Sequence, residues 1–409
     1  MLASECWNRC VQQGAEEFYG YGVGMNGIFL ASRYDCTGCS ACASACPKGC
    51  IQMLEDREGF LQPKINTKSC IKCHKCERVC PVLNPEDQSD GETKAYAVIN
   101  KDEDIRAKSS SGGVFYALAK WTIDQGGVVF GARFNDQWEV VHDYAETVDG
   151  IYPFMGSKYV QSRIGNCYKQ AKTFLDSGRW VLFSGTPCQL AGLRGYLKRE
   201  YVRLIQVDII CYGVPSPGVW RNYLREHVKR NGDISHISFR NKRNGWKNSH
   251  FIISYKKNSA EEIDGLFMKG FSYKVYLRES CYECPFRSYH RNSDLTIADY
   301  WGVDKFCNEM FDNKGTSVVF VHSDLGLSVL DALSDQVKAA PQCKDNVVTF
   351  NPFMEHGHSR TDKRNRFFRI FRLTSSFQKS AFVINKDSLG TRALRKISKY
   401  FHRFSSTQR

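Results

Sequence analysis

Cysteine is the residue type whose spacing carries most of the chemistry in this chain. One run reads Cys36-x2-Cys39-x2-Cys42-x3-Cys46-Pro47, and a second reads Cys70-x2-Cys73-x2-Cys76-x3-Cys80-Pro81. Both follow the bacterial ferredoxin spacing, in which three thiolates wrap one [4Fe–4S] cubane and the fourth reaches its neighbour. That crossing assigns Cys36, Cys39, Cys42 and Cys80 to one cluster and Cys70, Cys73, Cys76 and Cys46 to the other. It also holds two clusters close enough to exchange single electrons. Structural zinc uses C-x2-C pairs as well, but it needs four ligands and leaves two four-cysteine runs, each closed by proline, unexplained. Cys50 reads as a spare, small packed residue.

A looser constellation lies downstream. Cys188 and Cys211 fall at predicted strand ends, and Cys281-x2-Cys284 forms a pair. The four are candidate ligands of a third [4Fe–4S] cluster that relays electrons onward. The alternatives are zinc or a redox dithiol at Cys281 and Cys284, with Cys188 and Cys211 as buried neutral thiols. Cys6, Cys10, Cys167, Cys307 and Cys343 read as packed or free thiols.

Elements must position these groups. Residues 51–68, between the two runs, predict a hairpin turning near Gly59. Beyond a polar linker at 82–94, strands and helices alternate. Strands are expected at 95–100, 128–134, 180–184 and 204–211. Helices are expected at 113–124, 164–177, from Cys188 onward and at 217–231. Residues 234–240 and 251–255 read as strands of a more antiparallel region. Ser109, Ser110 and Ser111 are cap candidates for the helix at 113–124 and, with Gly112 and Gly113, lie between a strand and a helix. Glycines at such a place let backbone N–H groups approach a pyrophosphate, whose charge a helix N-terminus favours. A Ser–Gly cap is also an ordinary way to begin a helix.

In that order, and behind the doubled cysteine run, stand several short motifs. They are Ser109-Ser110-Ser111-Gly112-Gly113, Gly156-Ser157-Lys158-Tyr159-Val160-Gln161-Ser162, Gly185-Thr186-Pro187-Cys188-Gln189 and Cys211-Tyr212-Gly213-Val214-Pro215-Ser216-Pro217. Cys281-x2-Cys284, Asp294-Leu295-Thr296-Ile297-Ala298-Asp299-Tyr300-Trp301-Gly302 and Lys314-Gly315-Thr316-Ser317 follow. The ordered set resembles the coenzyme F420 hydrogenase/dehydrogenase beta-subunit family over roughly residues 31–355. The resemblance implies an iron–sulfur flavoprotein that binds FAD and passes electrons between clusters and a hydride carrier such as coenzyme F420, or another small substrate. It implies flavin contacts from Ser110, Ser111, Gly112, Gly113, Lys158, Thr186 and Asp299. Tyr212 stands where the family usually has His, and Ala298 and Tyr300 where it has Gly and Phe, so these departures bear on the final electron acceptor. The expected fold is α+β, a small bacterial-ferredoxin-like domain followed by a mixed α/β flavin-binding domain.

Composition bounds the rest. The chain has 409 residues, 42% of them hydrophobic, enough for two or three domains. Eighteen cysteines without a secretory signal point to metal or redox sites in the cytoplasm rather than to disulfides. No eighteen-residue apolar run is present, so no membrane span is expected. The net charge is +14, but residues 360–409 hold fourteen Lys and Arg against two Asp, which leaves the other 359 residues near neutral. That placement argues against a nucleic-acid-binding body. The domain plan is an extension at 1–30, expected to be poorly ordered, a ferredoxin-type domain at 31–85, a beta-subunit-like domain at 94–355 and a basic tail at 360–409. Within the tail, Leu394, Ile397, Phe401 and Phe404 alternate with Arg392, Arg395, Lys396, Lys399 and Arg403. This amphipathic helix pattern suits an anionic membrane surface or an acidic partner, or else a terminal helix covering the core. Function divides between an FAD-containing oxidoreductase, working with a redox partner protein or a small hydride carrier, and a non-catalytic relay subunit of a larger redox complex.

Overall fold

In the computed structural model, which describes residues 27–87, 91–257, 261–263 and 265–385, the repeated cysteine run is also a repeated backbone. Gly38 and Ser40 lie at φ 70° and 66°, and Lys72 and His74, at the equivalent positions, lie at φ 54° and 55°. Left-handed backbone costs a non-glycine residue roughly 1–2 kcal/mol. Its recurrence at Ser40, Lys72 and His74 therefore marks a curvature that these loops need in order to wrap a common centre. Each loop then enters a short helix, Ala41–Ala45 or Lys75–Arg78, which carries the third cysteine of its run. Between the runs, β1 (Ile51–Glu55) and β2 (Leu61–Ile65) pair antiparallel, with Gly59 in the turn at φ 80°.

The larger body is built on a mixed sheet. Its strands are β3 (Lys94–Asn100), β4 (Val128–Phe134), β5 (Val140–Ala145), β6 (Val181–Gly185) and β7 (Leu204–Ile209). After a separate antiparallel sheet of β8 (Ile234–Asn241), β9 (His250–Tyr255) and β10 (Glu261–Ile263), the chain returns to it as β11 (Leu295–Asp299), β12 (Ser317–Val321) and β13 (Val337–Gln342). The order is β13-β3-β12-β11-β7-β6-β4-β5. β3, β4, β6, β7 and β11 run one way; β5, β12 and β13 run the other.

Strand periodicity sends alternate residues to opposite faces. Val128, Phe130, Val181 and Phe183 face the helices Cys167–Asp176 and Pro187–Leu197, where Cys39, Ala41 and Val79 of the cysteine module join the same core. Val129 and Leu182 face the helix Val114–Asp124 and the helix Asp324–Ala332. A third core, rich in aromatics, lies under the smaller sheet and includes Trp220, Tyr223, Phe251 and Phe267.

Two expectations are corrected here. A short helix, Glu103–Lys108, separates β3 from the Ser109–Gly113 loop, because the Asp102 carboxylate accepts from the Asp104 and Ile105 backbone N–H groups and starts it. The loop thus joins two helices. Residues 362–385, counted in the basic tail by charge, belong to the body. The helices Asp362–Thr374 and Phe377–Asn385 bury Phe367, Phe368, Phe371 and Phe377 in the aromatic core, and Arg364, itself buried, pairs with Glu58 and Glu279 at 2.7 Å each. The amphipathic pattern at 390–404 and most of the extension at 1–30 lie outside the described residues. Among the described residues no helix is long and apolar enough to cross a membrane.

Candidate functional site

The cysteines gather into sets. Cys39 sits among Cys36 and Cys80, and Cys42 among Cys39, Cys36 and Cys80. Burial, reinforced by these neighbours, pushes the Cys39 thiol up to about 12 and the Cys42 thiol well above its ordinary value. Cys80 is raised by burial as well. Cys46 of the first run stands instead with the second run, near Cys76 and, through Cys50, near Cys70. A cavity of about 330 Å³ is lined by Cys46, Cys50, Cys70, Cys73 and Cys76. Thiols buried in this way ionise only against a compensating positive charge, which the iron core of a cubane supplies, so the donor sets suit [4Fe–4S] clusters. Among the described residues no three His, Cys, Asp or Glu side chains stand as ligands of a single ion.

The downstream cysteines also converge. β6 ends at Gly185, and Thr186 caps the next helix reciprocally with Gln189, placing Cys188 in its first turn. β7 ends two residues before Cys211, and Gly213 follows at φ 124°, packed against Cys281. Cys188 interacts with Cys284, Cys211 and Cys281. Burial and mutual repulsion push Cys281 up to about 12 and Cys211 to about 11, and raise Cys188 and Cys284. Arg287 and Arg291 offset part of this charge at Cys211 and Cys284. Of the remaining cysteines, Cys167 and Cys307 are buried and Cys343 is exposed. Cys6 and Cys10 lie outside the described residues.

A buried loop ties this third set to the first. Arg278 is 1% exposed. It donates from Nε to the Cys36 carbonyl at 2.7 Å, and its Nη2 lies 3.7 Å from Cys36 Sγ. Ser280, next to Cys281, donates to the same carbonyl at 3.1 Å. Gln161 accepts from Arg278 at 3.0 Å and donates to the Thr37 carbonyl at 2.8 Å. Sequence reasoning missed Arg278 as a functional residue: it is three positions before Cys281, but nothing local shows that it reaches back to Cys36.

A crevice opens where β3, β4, β6, β7 and β11 end, the edge at which open α/β sheets bind ligands. Gly113, at φ 84°, begins the helix Val114–Asp124, and no side chain caps its first turn, which leaves N–H groups directed at the crevice. Beside it, Ser110 Oγ accepts from the Ser157 N–H at 2.7 Å, and Ser111 Oγ donates to the Thr316 carbonyl at 2.8 Å. Gly112 is pressed against Val98 and Ser317, where a β-carbon would not fit. Lys158 is half-buried, donates to the Pro153 and Met155 carbonyls at 2.8 Å each, and is lowered by burial to about 7. Asp299 ends β11 and is already engaged, pairing with Arg240 at 2.6 Å and accepting from Trp246 Nε1 at 2.8 Å. Thr186 Oγ1 lies 3.2 Å from Cys188 Sγ, so the crevice and the third cysteine set share an edge. Lys242, unnoticed in the sequence, donates to the Ser111 and Lys314 carbonyls at 3.0 and 2.7 Å and stitches two crevice loops together. Of the three departures, Tyr212 packs on His358 with ring centroids 4.2 Å apart, and fully buried Tyr300 donates to Gln342 at 2.8 Å. Ala298 lies within β11.

Such an arrangement defines a redox protein, a two-cluster module docked on a mixed α/β body. Residues 35–84 match the family described as 4Fe-4S dicluster domain, and residues 178–343 match the C terminus of the coenzyme F420 hydrogenase/dehydrogenase beta subunit. The chain belongs to that beta-subunit family, with an iron–sulfur dicluster domain at its N-terminal side. Its role is that of an iron–sulfur oxidoreductase component. Among solved structures, a chain of the F420-reducing [NiFe] hydrogenase complex from Methanosarcina barkeri, studied as a xenon derivative, is similar at 15% identity and a TM-score of 0.46; the match covers 66% of this chain and 90% of that one. No curated protein matches.

Proposed function

We propose that this protein is an iron–sulfur flavoprotein oxidoreductase that works in the cytoplasm. In this reading Cys36, Cys39, Cys42 and Cys80 hold one [4Fe–4S] cluster and Cys70, Cys73, Cys76 and Cys46 a second. Cys188, Cys211, Cys281 and Cys284 hold a third, and the crevice binds FAD. When bound, the clusters carry single electrons, and the flavin couples one-electron flow to hydride transfer with coenzyme F420 or another small substrate. The chain's own residues set the order. The second set lies in the outlying module, the first set faces the body, and the third adjoins the crevice. Ser110, Ser111, Gly112 and Gly113 present backbone N–H groups to a phosphate, and Lys158 supplies a cation. Thr186 and Asp299 border the ring position, Asp299 by holding Arg240 in place. The electron partner is a redox protein, as a beta subunit implies, or a small hydride carrier.

The observation that carries the reading is the shared Cys36 carbonyl, bonded at once by Arg278 and by Ser280 beside Cys281. It puts the first and third sets back to back. Anaerobic purification with iron, sulfide and flavin quantification tests it. About twelve irons per chain and releasable FAD are expected, with about four irons lost in Cys281→Ser/Cys284→Ser. About eight irons in the wild type removes the third cluster. Clusters without flavin reduce the protein to a relay subunit.

A further inference from the structure

The two cluster sites of the N-terminal module are not equivalent. A [4Fe–4S] cubane offers four iron corners to protein thiolates. The first set answers with Cys36, Cys39, Cys42 and Cys80. The cavity of the second set is lined by five cysteines, because Cys50 joins Cys46, Cys70, Cys73 and Cys76. The geometry follows from one turn. The Gly49 N–H donates to the Cys46 carbonyl at 3.1 Å, and Gly49 lies at φ 60°. The chain reverses there, and Cys50 Sγ comes to 3.2 Å from Cys46 Sγ. The Cys50 backbone is then fixed by the Asn66 N–H at 2.8 Å, at the head of the β1–β2 hairpin. Cys50 is 6% exposed and packs with Ile28, Ile51 and Cys76. The sequence suggested a spare packed thiol; the structure puts that thiol inside the cluster cavity, in contact with a ligand.

We propose that Cys50 is a reserve ligand of the second cluster, able to take over the iron corner held by Cys46. This rests on the two-cluster reading of residues 35–84. In the exchange, the Fe–Sγ bond to Cys46 breaks and an Fe–Sγ bond to Cys50 forms. The Cys50 proton passes to the departing Cys46 sulfur across their contact. Iron keeps its oxidation state, and no electron enters or leaves. The device keeps all four corners ligated when the Cys46 bond is lost, where otherwise an iron would be free to dissociate.

The test uses the full chain, purified anaerobically, with iron and labile sulfide counted against wild type and paramagnetic resonance recorded after reduction. Wild type must show the two-cluster signature; its absence would fault the reading of the module, not this proposal. Cys46→Ser is expected to keep the wild-type iron count and a [4Fe–4S] signal, with an altered line shape from the new ligand. Cys46→Ser/Cys50→Ser is expected to lose about four irons. An equal loss in Cys46→Ser alone, or its conversion to a three-iron signal, overturns the proposal. Should the Cys46 variants fail to fold, Cys50→Ser decides. With Cys50 in reserve, an iron chelator strips the second cluster about tenfold faster from Cys50→Ser than from wild type, while the first cluster is unaffected. Equal rates overturn the proposal.

Discussion

Gly192 leaves the space that Cys39 fills: a β-carbon at Gly192 would stand 3.0 Å from Cys39 Cβ and 3.1 Å from its Sγ. One turn earlier in the same helix, Pro187–Leu197, is Cys188. A single helix therefore carries a thiol of the third set at its start and presses bare backbone on a thiol of the first. Gly195 repeats the device, with a β-carbon there only 2.5 Å from the Val79 carbonyl. The cysteine module approaches the sheet as closely as backbone allows.

Gly192→Ala separates two opposing effects. In an exposed helix, alanine in place of glycine is worth about 1 kcal/mol of stability. Overpacking a filled core costs about 1–3 kcal/mol. Against buried Cys39 the second effect is expected to win, lowering the melting temperature and the iron content together. A variant that melts higher than wild type with full iron would refute the close-approach argument.

Arg278→Met removes a buried cation beside Cys36. A reduced cluster is more negative than an oxidised one, so a nearby guanidinium raises its reduction potential. Taking about 6 Å and an effective dielectric near 20, the interaction is about 3 kcal/mol, so the first-cluster potential is expected to fall by on the order of 100 mV. Arg278→Lys, which keeps the charge, recovers most of the shift. Potentiometric titration followed by paramagnetic resonance reads both, and an unchanged potential in Arg278→Met excludes the electrostatic role.

Lys158 gives the crevice a pH signature. Burial depresses its folded value to about 7, so the ammonium is present below pH 7 and lost above it. An anion held there binds tightest below pH 7 and weakens by up to tenfold per unit as pH rises. FAD titrations from about pH 6 to pH 9 should show this fall, and Lys158→Met should abolish it while weakening binding at the acid end. The stability effect has the opposite sign. Between the folded value of about 7 and the ordinary value of 10.5 the unfolded chain binds a proton that the folded chain does not, so this residue makes stability rise with pH over that window. A flavin affinity independent of pH in the wild type would exclude Lys158 as the anion's partner.

Where periodicity and punctuation were strong, the elements could be read locally. β4 and the helix Pro217–Asn231 match their expected bounds. The hairpin between the cysteine runs turns where Gly59 takes up left-handed backbone. The helix Glu103–Lys108 was missed because its cap, Asp102, follows a polar Asn100-Lys101 pair that read as the end of a strand. The C-terminal helices were missed because their charge outweighed their pattern. Arg364, Arg366, Arg369 and Arg372 suggest a solvated tail, yet Phe367, Phe368 and Phe371 face inward, and Arg364 is neutralised by Glu58 and Glu279 from distant segments.

By itself the sequence determined the chemistry of the N-terminal module, because cluster ligation depends on thiols a few residues apart, and such spacing is a covalent property of the chain. It also held the ordered motifs that mark the larger body. Only the tertiary structure decided which thiols share a space. Cys188, Cys211, Cys281 and Cys284 come from a helix start, a strand end and a late loop. Arg278 reaches Cys36 across 242 residues, and Cys50 joins a cavity from which its position in the run had seemed to exclude it. Such meetings rest on sheet order and on glycines that let backbones touch, and neither is expressed in any local stretch of residues.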